Sequence, residues 1–328
     1  MSSNITSTCL LFRGVQRAMQ LLFCALLLCQ AYANEKMPYL VIDLETGASR
    51  YSEQPPDISS DLCRTTELWL RHIPSGTFIM GSNKDEIGIW KGHDMTPHPV
   101  TITKDYYIGI FEITQKQWLM FEDENPSCYL GDCRPVERVS YNMIRGDSEG
   151  AGKGWPKASY AVDENSFLGK LRKKTSLLFD IPTDAEWEYA CRAVTLTALN
   201  SGKNLLKTMR DPNMAEVGRY YSNRNDGNGG FTEHTKVGSY KPNAWGIYDM
   251  HGNISEWCLD WWGSNTFSEI PETNPVGVHH GTTRVMRGGS WIDYAQYCRS
   301  GIRRDANPET GYHYFGFRVI CRPDDKKQ

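Results

Sequence analysis

Two carboxylates seven residues apart, Asp249 and Glu256, bracket the run Asp249-Met250-His251-Gly252-Asn253-Ile254-Ser255-Glu256. The glycine between them lets the backbone turn its carbonyls inward, and a ring of oxygens suits a hard cation such as calcium. The spacing is not that of an EF-hand, so a loop held only by hydrogen bonds is the competing reading. Cysteines are the second chemical group. Of ten, Cys9, Cys24 and Cys29 lie in the first 33 residues, and Cys63, Cys128, Cys133, Cys191, Cys258, Cys298 and Cys321 follow. Seven is odd, so in an oxidising compartment at least one thiol is unpaired or paired between chains. His93 and His98 stand five apart in a proline-containing loop with no third ligand, the pattern of solvated surface more than of a zinc site. Trp257, Trp261 and Trp262 read as core packing before a carbohydrate platform. A phosphate-cradling glycine loop and a Gly-x-Ser-x-Gly elbow are both absent.

The elements that must position these groups are legible in part. Leu68 to Met80 and Val100 to Ile113 alternate apolar and polar residues and end in turn chemistry, which predicts strands. Thr114 with Gln117, and Thr183 with Glu186, have the hydroxyl and the amide or carboxylate, three residues on, that cap a helix reciprocally. After Arg192 the chain is rich in Gly, Asn, Trp and Tyr and has few periodic stretches. Such a half buries little apolar surface per ordered residue and needs pinning by metal, disulfides or aromatic packing.

The N-terminus orders Arg13 and Arg17, the apolar run Leu21 to Leu28, and Ala31-Tyr32-Ala33 as a secretory signal does. The expectation is a signal over 1–33, an extension and linker over 34–66, a main domain over 67–324, and an exported protein, periplasmic or extracellular, with no membrane span after cleavage. Without residues 1–33 there remain 34 basic against 39 acidic side chains, a net charge of about −5. With no Lys/Arg cluster, a nucleic-acid partner is not expected.

Several segments recur in a fixed order: Pro74 to Ser82, Tyr107-Ile108-Gly109, Glu112-Ile113-Thr114, Arg134 to Ser140, Pro182 to Arg192, Pro242 to Asn253, Glu256-Trp257, Arg287 to Trp291, and Gly316-Phe317-Arg318. Together they resemble the formylglycine-generating enzyme (sulfatase-modifying factor) family. The resemblance implies an α/β (α+β) fold, irregular and loop-rich and related to C-type lectins. It also implies oxygen-dependent modification of a cysteine-containing or other substrate by a pair of cysteines that binds copper(I). Laid on this chain, that pair falls on Asp293 and Cys298, beside Ser290, with Tyr297 and Arg299 in the same segment. A carboxylate is a hard ligand and does not reproduce a two-thiolate copper site. The alternative is a non-catalytic, lectin-like module that binds a protein, peptide or small molecule through Asp293 to His313. By the same resemblance, calcium ligands are Asp249, Glu256 and the carbonyls of Gly252 and Ile254, and a further calcium loop falls in Asn223 to Phe231, where Asn225, Asp226 and Asn228 offer oxygens. It also implies a Cys191–Cys321 bridge, while Cys128 and Cys133 are close enough in sequence to close locally.

Overall fold

The computed structural model describes residues 38–323 apart from 91, 92, 94, 159, 226–231 and 264–268. The signal expected over 1–33, and Asp226 and Asn228 of the further calcium loop, lie outside the described residues. Three short sheets carry the fold. Strands β1 (Tyr39–Asp43), β2 (Ser49–Ser52), β3 (Glu67–Ile73), β4 (Gly76–Met80), β5 (His98–Ile102), β6 (Tyr106–Gly109), β7 (Phe179–Asp180), β8 (Ser255–Trp261), β9 (Glu272–Thr273), β10 (Arg284–Arg287), β11 (Arg304–Ala306), β12 (Phe315–Gly316) and β13 (Ile320–Cys321) follow in sequence. They pair as β2-β1-β3-β6-β13-β7, β11-β10-β8-β12 and β4-β5-β9. This is an irregular, loop-rich α+β fold of the C-type-lectin-like kind. The apolar run Tyr39 to Ile42 is the antiparallel partner of β3, with Leu40 opposite Leu70.

Both capped helix starts form. Thr183 Oγ1 accepts from the Glu186 amide at 3.2 Å and the Glu186 carboxylate accepts from the Thr183 amide at 2.9 Å, opening the helix Asp184–Arg192. Thr114 and Gln117 make the same reciprocal pair, but that helix stops after Gln115–Trp118. The cap fixes where a helix begins, and packing of Trp118 against Phe167 (centroids 5.1 Å apart) replaces further turns. Among the tryptophans, Trp257 is buried and donates to the Val139 carbonyl at 3.0 Å, and Trp261 lies under the Arg284 guanidinium.

Three expectations need correction. All seven cysteines of the described chain are free thiols. The strand period puts Ile320 in the cluster that contains Cys191, and Cys321 in the opposite cluster with Val319 and Tyr107. Cys191 and Cys321 therefore sit on opposite faces of the six-stranded sheet and do not bridge. Cys128 lies exposed beside Arg138, at 3.6 Å, while Cys133 interacts with Asp61, so the local loop is not closed either. His98, expected at the surface, is buried at the start of β5 with Nδ1 2.8 Å from the Thr96 carbonyl.

Buried arginines do the pinning. Arg145 grips Asp180 through Nε (2.8 Å) and Nη2 (3.0 Å). Arg287 lies between Glu188 and Asp184 and donates to the Ile302 carbonyl at 2.5 Å. Arg299 reaches Ser82 and Glu86, each at 3.0 Å, and the Gly88 carbonyl at 2.9 Å. A planar fork of donors matches carboxylates and loop carbonyls at once, which an ammonium cannot. Asp184 also accepts from Arg303 Nε at 2.6 Å, and its own amide donates to Asp260 at 2.7 Å.

Replacing Arg287 by Leu leaves Glu188 with only Arg192 and the Gly81 amide, and Asp184 with only Arg303, inside the core, and is expected to cost about 3 kcal/mol of stability in urea unfolding; a loss under about 1 kcal/mol would show that the cluster is not coupled to the fold. Burial, with the charge of Asp184 adding to it, pushes the Asp260 carboxyl up to about 7. A raised acid favours the folded state below its ordinary pKa, and that contribution is lost as pH rises through about 7. Asp260→Asn is expected to flatten the pH dependence of stability between about pH 4 and about pH 7, read from urea midpoints.

Candidate functional site

β10 ends at Arg287 and the chain turns through Gly288 and Gly289, with φ of 87° and 68°. A side chain at Gly289 would meet the Tyr297 carbonyl at 2.4 Å and Cys298 Sγ at 2.7 Å. Glycine there lets the Ser290–Asp293 turn lie directly on the Cys298 segment. The turn brings together the residues expected from the sequence. Ser290 Oγ donates to Asp293 Oδ2 at 2.6 Å, and Arg304 Nη1 donates to Asp293 Oδ1 at 2.5 Å. Both oxygens of Asp293 are thus engaged, in an ion pair whose arginine is 35% exposed and whose acid is 8% exposed. Arg304 was not singled out in the sequence, because a lone basic residue eleven positions away carries no signal of its partner.

Cys298 is fully buried in a cluster with Leu199, Leu205, Met214 and Tyr220. Its thiol points toward the Tyr294 carbonyl at 3.7 Å. Burial pushes the thiol well above its ordinary pKa, and the charge of Asp293 adds to the effect. Cys258 belongs to a different cluster, with Cys191 and Trp187. His251 ties the loop 249–256 to this segment. Its Nδ1 donates to the Cys298 carbonyl at 2.6 Å, and Nε2 accepts from the Asn200 amide at 2.9 Å, so the ring is the neutral Nδ1–H tautomer. Burial lowers its pKa to about 4. Arg299, expected at the groove, instead is buried against Glu86.

The oxygen set Asp249, Gly252, Ile254 and Glu256 lies in one turn. Gly252 has φ 78° and its Cα faces the Arg219 carbonyl so closely that a Cβ would stand 1.9 Å from it. Glu256, however, is gripped by Arg318, whose Nε and Nη2 each donate at 2.6 Å, and by Trp187 Nε1 at 2.9 Å. Asp249 Oδ2 accepts from the Gly238 amide at 2.6 Å, and Oδ1 is buried without a partner. Burial raises Asp249 to about 6 and Glu112 well above its usual range, where Asp249 and Glu256 add to the effect. Glu112 accepts from Asn253 Nδ2 at 2.6 Å and was missed in the sequence, since it lies some 140 residues from the loop. Calcium takes six to eight oxygens. Of the four carboxylate oxygens only Asp249 Oδ1 is without a partner, and Glu256 is already answered by a guanidinium, so the carboxylates as arranged do not supply such a shell. Among the described residues no group of three or more His, Cys, Asp and Glu is placed to hold a metal.

Around the Asp293–Arg304 pair the surface is aromatic. Tyr294 packs on Tyr221 at 4.9 Å, Tyr297 on Trp90 at 5.4 Å, and Tyr312 stacks on Tyr314 at 5.5 Å. Arg224 lies over Tyr221 at 4.0 Å and over Trp291 at 5.6 Å. His93 stacks on Trp90 at 3.7 Å and neighbours Trp262 at 5.1 Å, extending the same belt. Partly exposed rings flanking a fixed ion pair can hold a ligand by stacking and by hydrogen bonds at its rim.

Residues 63–323 match the family model described as a sulfatase-modifying factor enzyme 1-like domain. The chain is 32% identical over 214 residues to a chaperone protein LppX of Paenibacillus barcinonensis, covering 57% of this chain and 70% of that one. It is 27% identical over 289 residues to the formylglycine-generating enzyme of Bos taurus, covering 76% and 73%. Among solved structures it resembles Treponema denticola variable protein 1, with a TM-score of 0.61, 26% identity and coverage of 78% of this chain and 96% of that one. PvdO of Pseudomonas aeruginosa shares the fold, with a TM-score of 0.58, 24% identity and coverage of 78% and 94%.

Alkylation of the native protein at mildly basic pH is expected to modify Cys128 first, and Cys298 only on unfolding, with all seven thiols from Cys63 to Cys321 reacting in denaturant. Peptide mapping that finds Cys298 labelled as fast as Cys128 would show that its thiol reaches solvent.

Proposed function

We propose that this chain, which belongs to the sulfatase-modifying factor (formylglycine-generating enzyme) family, acts as a ligand-binding protein built on that family's fold in place of its thiol chemistry. The observation that carries this reading is the fate of the two positions that the resemblance assigns to catalysis. Asp293 is bound on both oxygens by Ser290 and Arg304. Cys298 is buried with its thiol held protonated. Copper(I) is a soft ion that asks for thiolates, and a thiolate is also the nucleophilic form of cysteine. Neither is on offer at neutral pH.

What remains is a framework and a face. Gly288 to Trp291 and Gly316 to Arg318 anchor the ends of the segment from Asp293 to His313, and the arginine clamps hold both anchors. Between them Asp305, Asn307, Glu309 and Tyr312 are exposed and Tyr294, Tyr297 and Arg304 are half-buried, and the tyrosines supply contact area, the polar side chains directed hydrogen bonds, at small entropic cost. A protein or peptide, or a small polar molecule, suits such a surface. A solved relative bearing the name variable protein has the same fold over nearly its whole length, which agrees with a framework that carries different surfaces. The N-terminal pattern over 1–33 supports a place of action outside the cytoplasm.

Purified protein supplied with copper(I), oxygen and a cysteine-containing sulfatase peptide is expected to leave the peptide mass unchanged; conversion of the thiol to an aldehyde would overturn the reading. In the positive direction, a peptide and glycan array should yield a ligand whose affinity falls by about 30-fold or more when Tyr294, Tyr297 and Tyr312 are all changed to Ala, as expected when aromatic anchors at a binding centre are lost. An array hit indifferent to that triple change would place binding elsewhere on the molecule.

A further inference from the structure

Below the edge of the aromatic face lies an acid and imidazole pair that the binding face does not use. The side chains of Glu137 and His234 are completely buried, with His234 Nε2 3.8 Å from Glu137 Oε1. Oε1 is already occupied, accepting from the Cys128 amide at 2.5 Å and the Tyr129 amide at 2.9 Å. Oε2 has no partner, and neither ring nitrogen of His234 has one. Buried polar atoms are nearly always satisfied, so three orphans in one place call for a reason. The turn held by Glu137 connects them to the face: the Tyr129 ring meets His234 at 5.7 Å, Trp291 at 5.4 Å and His313 at 6.1 Å, edge-on in each case.

We propose that Glu137 and His234 form a proton-operated latch beneath the binding face, in which protonation of His234 draws Glu137 away from the Cys128 and Tyr129 amides and frees Tyr129 from Trp291. With the ring neutral, Glu137 has no competitor for its two backbone donors and the turn stays seated. With the ring protonated, both nitrogens become donors, and the nearest acceptor is the carboxylate that holds the turn. A charged hydrogen bond to either carboxylate oxygen turns the group toward the ring, which pulls Oε1 off the two neutral amides and leaves them to water. The change takes place under Trp291, next to the Asp293–Arg304 pair, so the face is remodelled along with the turn.

The other groups around the ring set the sign. Arg134 donates to the His234 carbonyl at 2.9 Å and pairs with Glu233 at 3.0 Å, so its charge is largely answered locally. Glu233 and Glu137 favour a charged ring, while Arg134 disfavours it. On the solvent side stand Cys128 with Arg138, and across the Tyr129 ring stands His313. Burial prevails, and lowers the His234 pKa below its ordinary value. A lowered base favours the folded arrangement above its ordinary pKa, and that contribution is lost as pH falls through the folded value. Mild acid therefore loosens the latch. The use of the latch, release or remodelling of a bound ligand, rests on the binding reading, but its existence does not.

Hydrogen exchange of the Cys128 and Tyr129 amides in the full chain, corrected for intrinsic rates, tests it at about pH 7.5 and about pH 5. Protection is expected to fall about ten-fold or more at the lower pH in the wild type and to stay constant in His234→Gln, which cannot take up a proton. Equal behaviour of the two proteins, or no pH effect in either, overturns the proposal. If His234→Gln does not fold, NMR titration of the His234 ring in the wild type decides. A midpoint that coincides with the loss of amide protection supports the latch, and a ring that remains neutral through the exchange transition removes it. A working latch with no ligand on any array would instead count against the binding reading alone.

Discussion

The fold of this chain depends on arginines taken out of water. Arg145, Arg284, Arg287, Arg299 and Arg318 are all essentially inaccessible, and each joins segments distant in sequence. A loop residue gives up about 1–2 kcal/mol of backbone entropy on ordering, and the loops after Arg192 have little apolar surface with which to recover it. A guanidinium answers several loop carbonyls and a carboxylate simultaneously, so one side chain can fix three strands of irregular backbone. Arg318 does this for Glu256, the Gly109 carbonyl and the Tyr248 carbonyl. Such pairs need not contribute much net stability, because desolvation offsets the attraction. Their effect is on uniqueness: a loop seated elsewhere would leave a naked charge in the core.

The same constraint shows how the framework holds without a disulfide among the described residues. A positive charge is already buried against Glu256, at the place where the resemblance implies calcium. Cys191 and Cys321 are in place along the chain, but the alternation of β13 turns them to opposite faces. A disulfide of ordinary loop length contributes about 2–4 kcal/mol, comparable to the cost of breaking one buried ion pair, so a network of clamps can stand in for bridges in holding the framework.

What was readable in the sequence divides along a physical line. The capped helix start at Thr183 and the strands on either side of Pro74 depend on neighbours within a few residues, and they formed as expected; so did the segments carrying the family resemblance, which give the fold. The partners of Asp293, Glu256 and Glu137 are Arg304, Arg318 and His234, between eleven and ninety-seven positions away. No local pattern announces a carboxylate's counter-ion, and only the folded chain assigns it. The hydrophobicity of His98's strand could have flagged its burial, since it alternates in register with Val100 and Ile102, but a histidine at a strand edge reads as polar surface.

Asp293 ties the turn after β10 to β11 through Arg304. A thiol at that position would leave Ser290 Oγ and Arg304 without their acceptor. A carboxylate binds both and fixes the loop geometry. Once Asp293 and Arg304 are joined, the turn from Ser290 is rigid, and Cys298 lies behind it, sealed by Leu199, Leu205 and Met214. Reactivity at Cys298 would require that seal to open and a buried thiol to ionise beside a carboxylate, two costs that act together. The face in front of the pair bears neither cost: its tyrosines are already partly exposed, and their contacts with Trp90, Tyr221 and Tyr314 orient them before any ligand arrives. Preorganised rings on a rigid turn lower the entropic cost of holding a ligand, as the proposed binding role requires, and the Asp293–Arg304 pair is what makes the turn rigid.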